Sequence, residues 1–194
     1  EFGALATEAG GGYTWSRNSR EHRLTPWTND PIGDPPSEAL YLTDLDVGHY
    51  WSPLPAPAGG GADVEVRHGF GHTSWTRRSQ GLTQHVTAFV PRQAPLKVVR
   101  LRVTNDGTRP RRLALTTYQA LVLGVLEQDT RRAVGTAWDT ASGAVLAMNP
   151  DAGEFASGVT FAALVAPEGG TAVEHTAHRG SFLGRAGSLA SPYT

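Results

Sequence analysis

Gln80-Gly-Leu-Thr-Gln-His-Val-Thr-Ala-Phe-Val90 alternates apolar and polar side chains with the two-residue period of a half-buried strand. Leu82, Val86, Ala88 and Val90 fall on one face, and Thr83, His85 and Thr87 on the other. Phe89 interrupts the polar face, so partial cover is expected there. Downstream, residues 97–103 repeat the pattern, with Val99, Leu101 and Val103 set against Arg100 and Arg102. Thr104-Asn-Asp-Gly107 follows, and Asp-Gly supplies the positive φ angles of a hairpin turn. Residues 111–123 then return with Leu113, Leu115 and Thr117 on one side, so two adjacent antiparallel strands are expected. A further hairpin is expected at Asp139-Thr-Ala-Ser-Gly143, and a last pair between residues 158–165 and 171–178. The chain carries 23 glycines and 13 prolines, which punctuate it at the spacing of an all-β meander. No stretch sustains a period of 3.6 residues. Strands with one apolar face need a second layer, which predicts an all-β, two-sheet antiparallel β-sandwich spanning residues 1–194 as one domain.

The 194 residues are enough to bury a real core without a metal or disulfide staple. The net charge is −1, with acids and bases scattered, and the richest basic stretch is only Arg109, Arg111 and Arg112. Nucleic acid and anionic membrane surfaces are therefore not expected partners. There is no cysteine, which fits a reducing compartment without requiring one. Apolar runs such as Leu121-Val-Leu123 are far too short to span a bilayer. The chain opens on Glu1-Phe2 rather than Met and reads as a piece of something longer.

Several constellations invite a chemical reading. His68-Gly-Phe-Gly-His72, taken as one strand, projects two imidazoles the same way about 13 Å apart. That is too far for a metal pair, so structural hydrogen bonding is the expectation and no cofactor or metal is predicted. Glycosidases of the usual kind need two flanking carboxylates. Asp30, Asp34, Glu38, Asp44 and Asp46 are present, but no spacing singles out a pair, and no Gly-x-Ser-x-Gly elbow occurs. Five tryptophans, at positions 15, 27, 51, 75 and 138, are candidates for sugar stacking or for the core. Trp27 stands out because it lies in residues 17–36, a polar stretch with four prolines and no period. Irregular loops of about twenty residues are uncommon in compact domains and are often functional. Arg20, Arg23, Asn29 and Asp30 accompany Trp27 there, with side chains suited to forking onto sugar hydroxyls or docking another domain.

Gly11-Gly-Tyr-Thr-Trp-Ser-Arg-Asn-Ser-Arg-Glu-His-Arg-Leu-Thr-Pro-Trp-Thr-Asn-Asp-Pro31 resembles a segment typical of cyclic β-1,2-glucan synthases, in their phosphorylase-like region. Glu38-Ala-Leu-Tyr-Leu42, Trp51-Ser-Pro53, Arg67-His-Gly-Phe-Gly71, Phe89-Val-Pro91 and Phe182-Leu-Gly-Arg-Ala-Gly-Ser-Leu189 agree in order. More distantly the chain is similar to the cellobiose and chitobiose phosphorylases of glycoside hydrolase family 94.

The resemblance implies a galactose-mutarotase-like supersandwich placed ahead of an (α/α)6 barrel. The barrel of such enzymes holds the general-acid aspartate and the phosphate site, so this chain alone is expected to be inactive. It implies β-1,2-linked glucan and the downstream barrel as partners, with a homodimer contact as a further one. It also implies a parent in the bacterial inner membrane with this region cytoplasmic and not itself touching the bilayer. In the disaccharide phosphorylases an arginine from this part of the sandwich reaches the acceptor sugar, and Arg131 or Arg132 matches that position. The alternative reading is an independent carbohydrate-binding module with no catalytic partner.

Overall fold

A computed structural model describes residues 1–30, 32–33, 35–166 and 173–193. Its strands are β1 (Phe2–Ala6), β2 (Gly12–Ser16), β3 (Glu38–Asp44), β4 (His49–Trp51), β5 (Val64–Gly69) and β6 (His72–Ser79). They continue with β7 (Leu82–Phe89), β8 (Val98–Asn105), β9 (Leu113–Gln119), β10 (Gly135–Asp139), β11 (Ala144–Met148) and β12 (Thr160–Ala163). Two short helices, α1 (Glu127–Thr130) and α2 (Arg179–Leu183), complete the set. Strands and bridges hold 41% of the described residues and helix 6%, so the fold is all-β.

The alternating stretch 80–90 contains β7, which lies inside the four-stranded antiparallel sheet β5-β6-β7-β8. Gln80 and Gly81 turn the chain between β6 and β7 with φ of 57° and 72°. Two positive φ angles match the twist of the flanking strands. Leu82, Gln84, Val86 and Ala88 all point inward and are buried. Opposite them stands the sheet β4-β3-β9. Leu42, Trp51 and Leu82 meet Leu101, Val103, Leu113 and Leu115 between these layers, and Trp75, Val86 and Ala88 meet Leu40 and Leu54. Those two sheets are the layers of the sandwich. The other face of β3 is covered as well, because Ala39 and Tyr41 pack on Phe182 of α2. Two smaller antiparallel sheets, β1-β2 and β10-β11-β12, complete the described strands.

Buried polar groups lock the layers together. Gln84 is fully buried and accepts the Trp51 indole N–H at 2.7 Å while donating to Ser79 Oγ at 3.0 Å. Arg77, 3% exposed, donates to the carbonyls of Ser52 at 2.9 Å and of Gly59, and burial pulls its guanidinium below the usual range. Asp44, 1% exposed, holds Arg111 at 2.6 Å and accepts the Asp46 amide at 2.9 Å. Burial would raise its pKa, but that amide and Arg111 together hold it below the usual carboxylate value.

Three expectations are corrected. Residues 104–107 do not close a hairpin: β8 pairs with β7 and β9 with β3, so the turn crosses between layers. Asn105 shapes it, accepting the Gly107 amide at 3.1 Å and donating to the Arg109 carbonyl at 2.8 Å, and Gly107 has no positive φ. His68 and His72 do not share a strand, because Phe70 and Gly71 form a turn that puts them on β5 and β6. In that register His68 faces Thr73 and His72 faces Gly69, and the His68 ring bonds Thr73 Oγ1 at 3.0 Å. Finally, β12 pairs with β11, and residues 173–178 form no strand. Residues 167–172, which include the expected turn, lie outside the described residues. The hairpin at 139–143 forms as expected, with the Asp139 carboxylate accepting the Ala141 and Ser142 amides.

Candidate functional site

Tyr13 and Trp15 sit two apart on β2 and therefore share a face. Their rings lie 5.0 Å apart, and Trp15 lies over Gly3, where a Cβ would meet the indole. Tyr13 carries Trp27 next, stacked at 5.5 Å and 18°. The ladder brings Trp27 to the protein edge, half-buried.

The polar stretch that carries Trp27 is only partly irregular. Its middle runs as a short bridge between β2 and residues 122–124. The Leu24 amide donates to the Thr14 carbonyl at 2.8 Å, and Arg23 and Gly124 exchange backbone bonds at 3.1 and 3.0 Å. Leu24 is thereby buried with Leu123 and Ala147. His22 stacks on Phe155 at 4.6 Å, and its Nδ1 bonds the Ser16 carbonyl at 2.8 Å. Asn18 Oδ1 accepts the Arg20 and Glu21 amides. Thr25 Oγ1 accepts the Thr14 amide at 3.0 Å. Below it, the Glu38 carboxylate binds Lys97 Nζ at 2.8 Å and Thr14 Oγ1 at 2.9 Å. Burial raises the Glu38 pKa, and Lys97 with these hydroxyls outweighs it, leaving it below the usual value.

Trp27 and α1 together wall a cavity of about 300 Å³, lined by Pro26, Trp27, Val125, Glu127, Gln128 and Arg131 among others. Glu127 is fixed from outside by Arg179 of α2 at 2.7 Å. The Arg131 side chain has no hydrogen bond or ion pair among the described residues, and neither does the Trp27 indole N–H. The opening thus offers an aromatic edge, a carboxylate, an amide and an unengaged guanidinium. Such a set can hold a polyol with an apolar ring face. Among the described residues it holds no second carboxylate to cleave a glycosidic bond.

The other candidates take different places. Arg23 directs its donors inward, to the Trp27 carbonyl at 2.9 Å and the Ser19 carbonyl at 3.3 Å, and lies 5.7 Å above the Tyr13 ring. It fastens Trp27 instead of facing the cavity. Arg20 is exposed and paired with Glu21 at 3.3 Å. Asn29 is exposed with φ of 53°. Asp30 folds back on its own turn, where the Gly33 and Ile32 amides lower its pKa. Arg132 is exposed and does not line the cavity. Asp46 binds Arg112 at 2.7 Å, so the described acids of the sequence list are engaged structurally, and Asp34 lies outside the described residues. Among the described residues no three His, Asp or Glu gather as a metal site.

The family model described as the glycosyl hydrolase 94 supersandwich domain matches residues 1–194. The chain belongs to that family. The supersandwich is 33% identical to the cyclic beta-(1,2)-glucan synthase NdvB of Rhizobium meliloti (strain 1021), over 99% of this chain and 7% of that protein. It is 26% identical to the N,N'-diacetylchitobiose phosphorylase of Vibrio furnissii, over 61% of this chain and 15% of that one. With the 3-O-beta-D-glucopyranosyl-beta-D-glucuronide phosphorylase of Paenibacillus borealis it shares 35% identity, over 44% of this chain and 11% of that one. The chain therefore spans only a small part of these relatives.

Within the supersandwich, Trp27 and Arg131, both singled out from the sequence, line this one cavity, whereas Tyr13 beneath Trp27 and the lining Glu127 and Gln128 were not singled out. The two-residue spacing of Tyr13 and Trp15 was the available clue to the ladder. The backbone at Leu123 is a further one. It is 2% exposed with φ of 44°, a conformation costly for a leucine, and its carbonyl is held by Asn149 Nδ2 at 2.9 Å. This turn sets the direction in which the chain leaves toward α1.

Proposed function

We propose that this supersandwich is a non-catalytic part of a glucan-processing phosphorylase or cyclic glucan synthase, and that the Trp27 cavity contacts the glucan at the entrance of a downstream catalytic barrel. The observation that carries the reading is Trp27 itself. A stacked ladder and Arg23 fix it at an opening where its N–H and the Arg131 guanidinium have no partner among the described residues. Fixed aromatic surface beside free donors is how proteins take up sugars at low entropic cost. The family relationship supports a carbohydrate as the ligand, and the likeness to a β-1,2-glucan synthase favours a β-1,2-linked one. Arg131 lines the opening and Arg132 does not, which favours Arg131 as the sugar-reaching arginine. The parent is proposed to be a membrane protein. Among the described residues no helix is long and apolar enough to cross a bilayer.

Calorimetric titration of the chain with β-1,2-gluco-oligosaccharides tests this. Trp27→Ala and Arg131→Ala are each expected to weaken binding about tenfold or more, the loss of one stacking or charged hydrogen-bond contact. Unchanged affinity in both would overturn the proposal. The same chain, given β-1,2-glucan and phosphate, is expected to release no glucose 1-phosphate.

A further inference from the structure

The sheet β10-β11-β12 carries a second opening. Trp138 of β10 and Val145 of β11 stand opposite each other in register, and with Thr136, His175 and Thr176 they line a cavity of about 330 Å³. None of these residues lines the Trp27 cavity. Here the His175 imidazole lies flat on the Trp138 indole, with centroids 3.9 Å apart and planes within 10°. His175 is exposed and belongs to residues 173–178, which form neither helix nor strand. Its ring nitrogens make no hydrogen bond among the described residues, and neither does the Trp138 indole N–H. Among the described residues, the stack on Trp138 is what holds the imidazole in place.

We propose that Trp138 is the platform of a second carbohydrate site and that His175 covers it when it is empty. A half-buried indole with a flat ring laid on it at contact distance is the arrangement a pyranose makes through its C–H face. The imidazole stands where that sugar ring would lie. A sugar brings the same flat contact together with hydroxyls for the Trp138 N–H and for Thr136 and Thr176. The lining also selects the ligand class. The Trp27 opening contains Glu127 and Arg131, whereas among the described residues this one is lined by no carboxylate, lysine or arginine. A neutral gluco-oligosaccharide fits it, and an anionic sugar finds no counter-charge.

The test uses the 194-residue chain labelled with 5-fluorotryptophan, its five fluorine resonances assigned by single Trp→Phe variants. Titration with the β-1,2-linked glucose disaccharide should move the Trp138 resonance saturably. His175→Ala, on an exposed irregular segment, should bind about two- to tenfold more tightly at this site because one stacking contact no longer competes. A Trp138 resonance unmoved in both wild type and His175→Ala would overturn the proposal, and so would weaker binding by His175→Ala. The Trp27 resonance reports the first cavity separately, so failure of one site is distinguishable from failure of the other. Unchanged Trp51 and Trp75 resonances verify the fold.

Discussion

Between the two sandwich layers, the Trp51 indole N–H donates to Gln84 Oε1 at 2.7 Å, and that of Trp75 to the Glu8 carbonyl at 3.0 Å. At the loop edge, the Trp27 N–H meets no acceptor among the described residues. Trp51 and Trp75 are each 3% exposed, so an unmade bond there would cost about 1–3 kcal/mol. Trp27 is half-exposed and water satisfies it at no such cost. The same residue type is thus structural where its donor must be matched within the fold and available where it need not be. Arginine divides in the same way. Arg77 is buried among carbonyls, whereas Arg131 stands unengaged at an opening.

The largest effect that would test this division is at Arg77. Arg77→Met should leave the Ser52 and Gly59 carbonyls buried without their donor and destabilise the fold by about 3 kcal/mol or more in urea denaturation. A loss under about 1 kcal/mol would break the comparison. Trp51→Phe should cost about 1–3 kcal/mol by leaving Gln84 Oε1 unmatched, and Trp51→Phe with Gln84→Leu should recover part of it. Glu38 gives a pH-dependent contrast. Its folded pKa lies below 4.5, so its contribution is full above that pH and is lost as pH falls through the lower folded value. Glu38→Gln should be less stable than wild type at pH 7, and the gap should close toward pH 3. The smallest stability effect is expected for Trp27→Ala, about 1 kcal/mol or less, with sugar affinity falling all the same.

How far the sequence foretold this differs between the regions. The alternation of β7 gave the layer and its inward face, because burial on one side imposes a two-residue period. Gln84 and Arg77 were invisible to it, since polarity marks them as outward although each is buried with full hydrogen bonding. Asp106-Gly107 marked a turn correctly but could not say that β9 would join β3, because turn chemistry is local and sheet choice is not. Trp27, which lines a cavity, was singled out from its unusual loop. Its ladder was not, because the stacking of Tyr13 on Trp27 depends on Arg23–Leu24 bridging β2 and residues 122–124, a pairing that no local pattern announces. Arg23 reads from sequence as a residue facing a sugar or a neighbouring domain, and the structure turns its donors to the Trp27 and Ser19 carbonyls.

Whether the Trp27 edge serves substrate while the sandwich layers serve only the fold is read from phosphorolysis kinetics of the proposed full-length glucan-processing enzyme. Trp27→Ala and Arg23→Ala are made separately, and normal folding is verified by thermal melting. On the proposed role, kcat/KM on β-1,2-glucan falls about tenfold or more for Trp27→Ala, and by a smaller factor for Arg23→Ala, which acts only through Trp27. Wild-type kinetics in both folded variants would contradict it and reduce residues 17–36 to a packed edge of the sandwich.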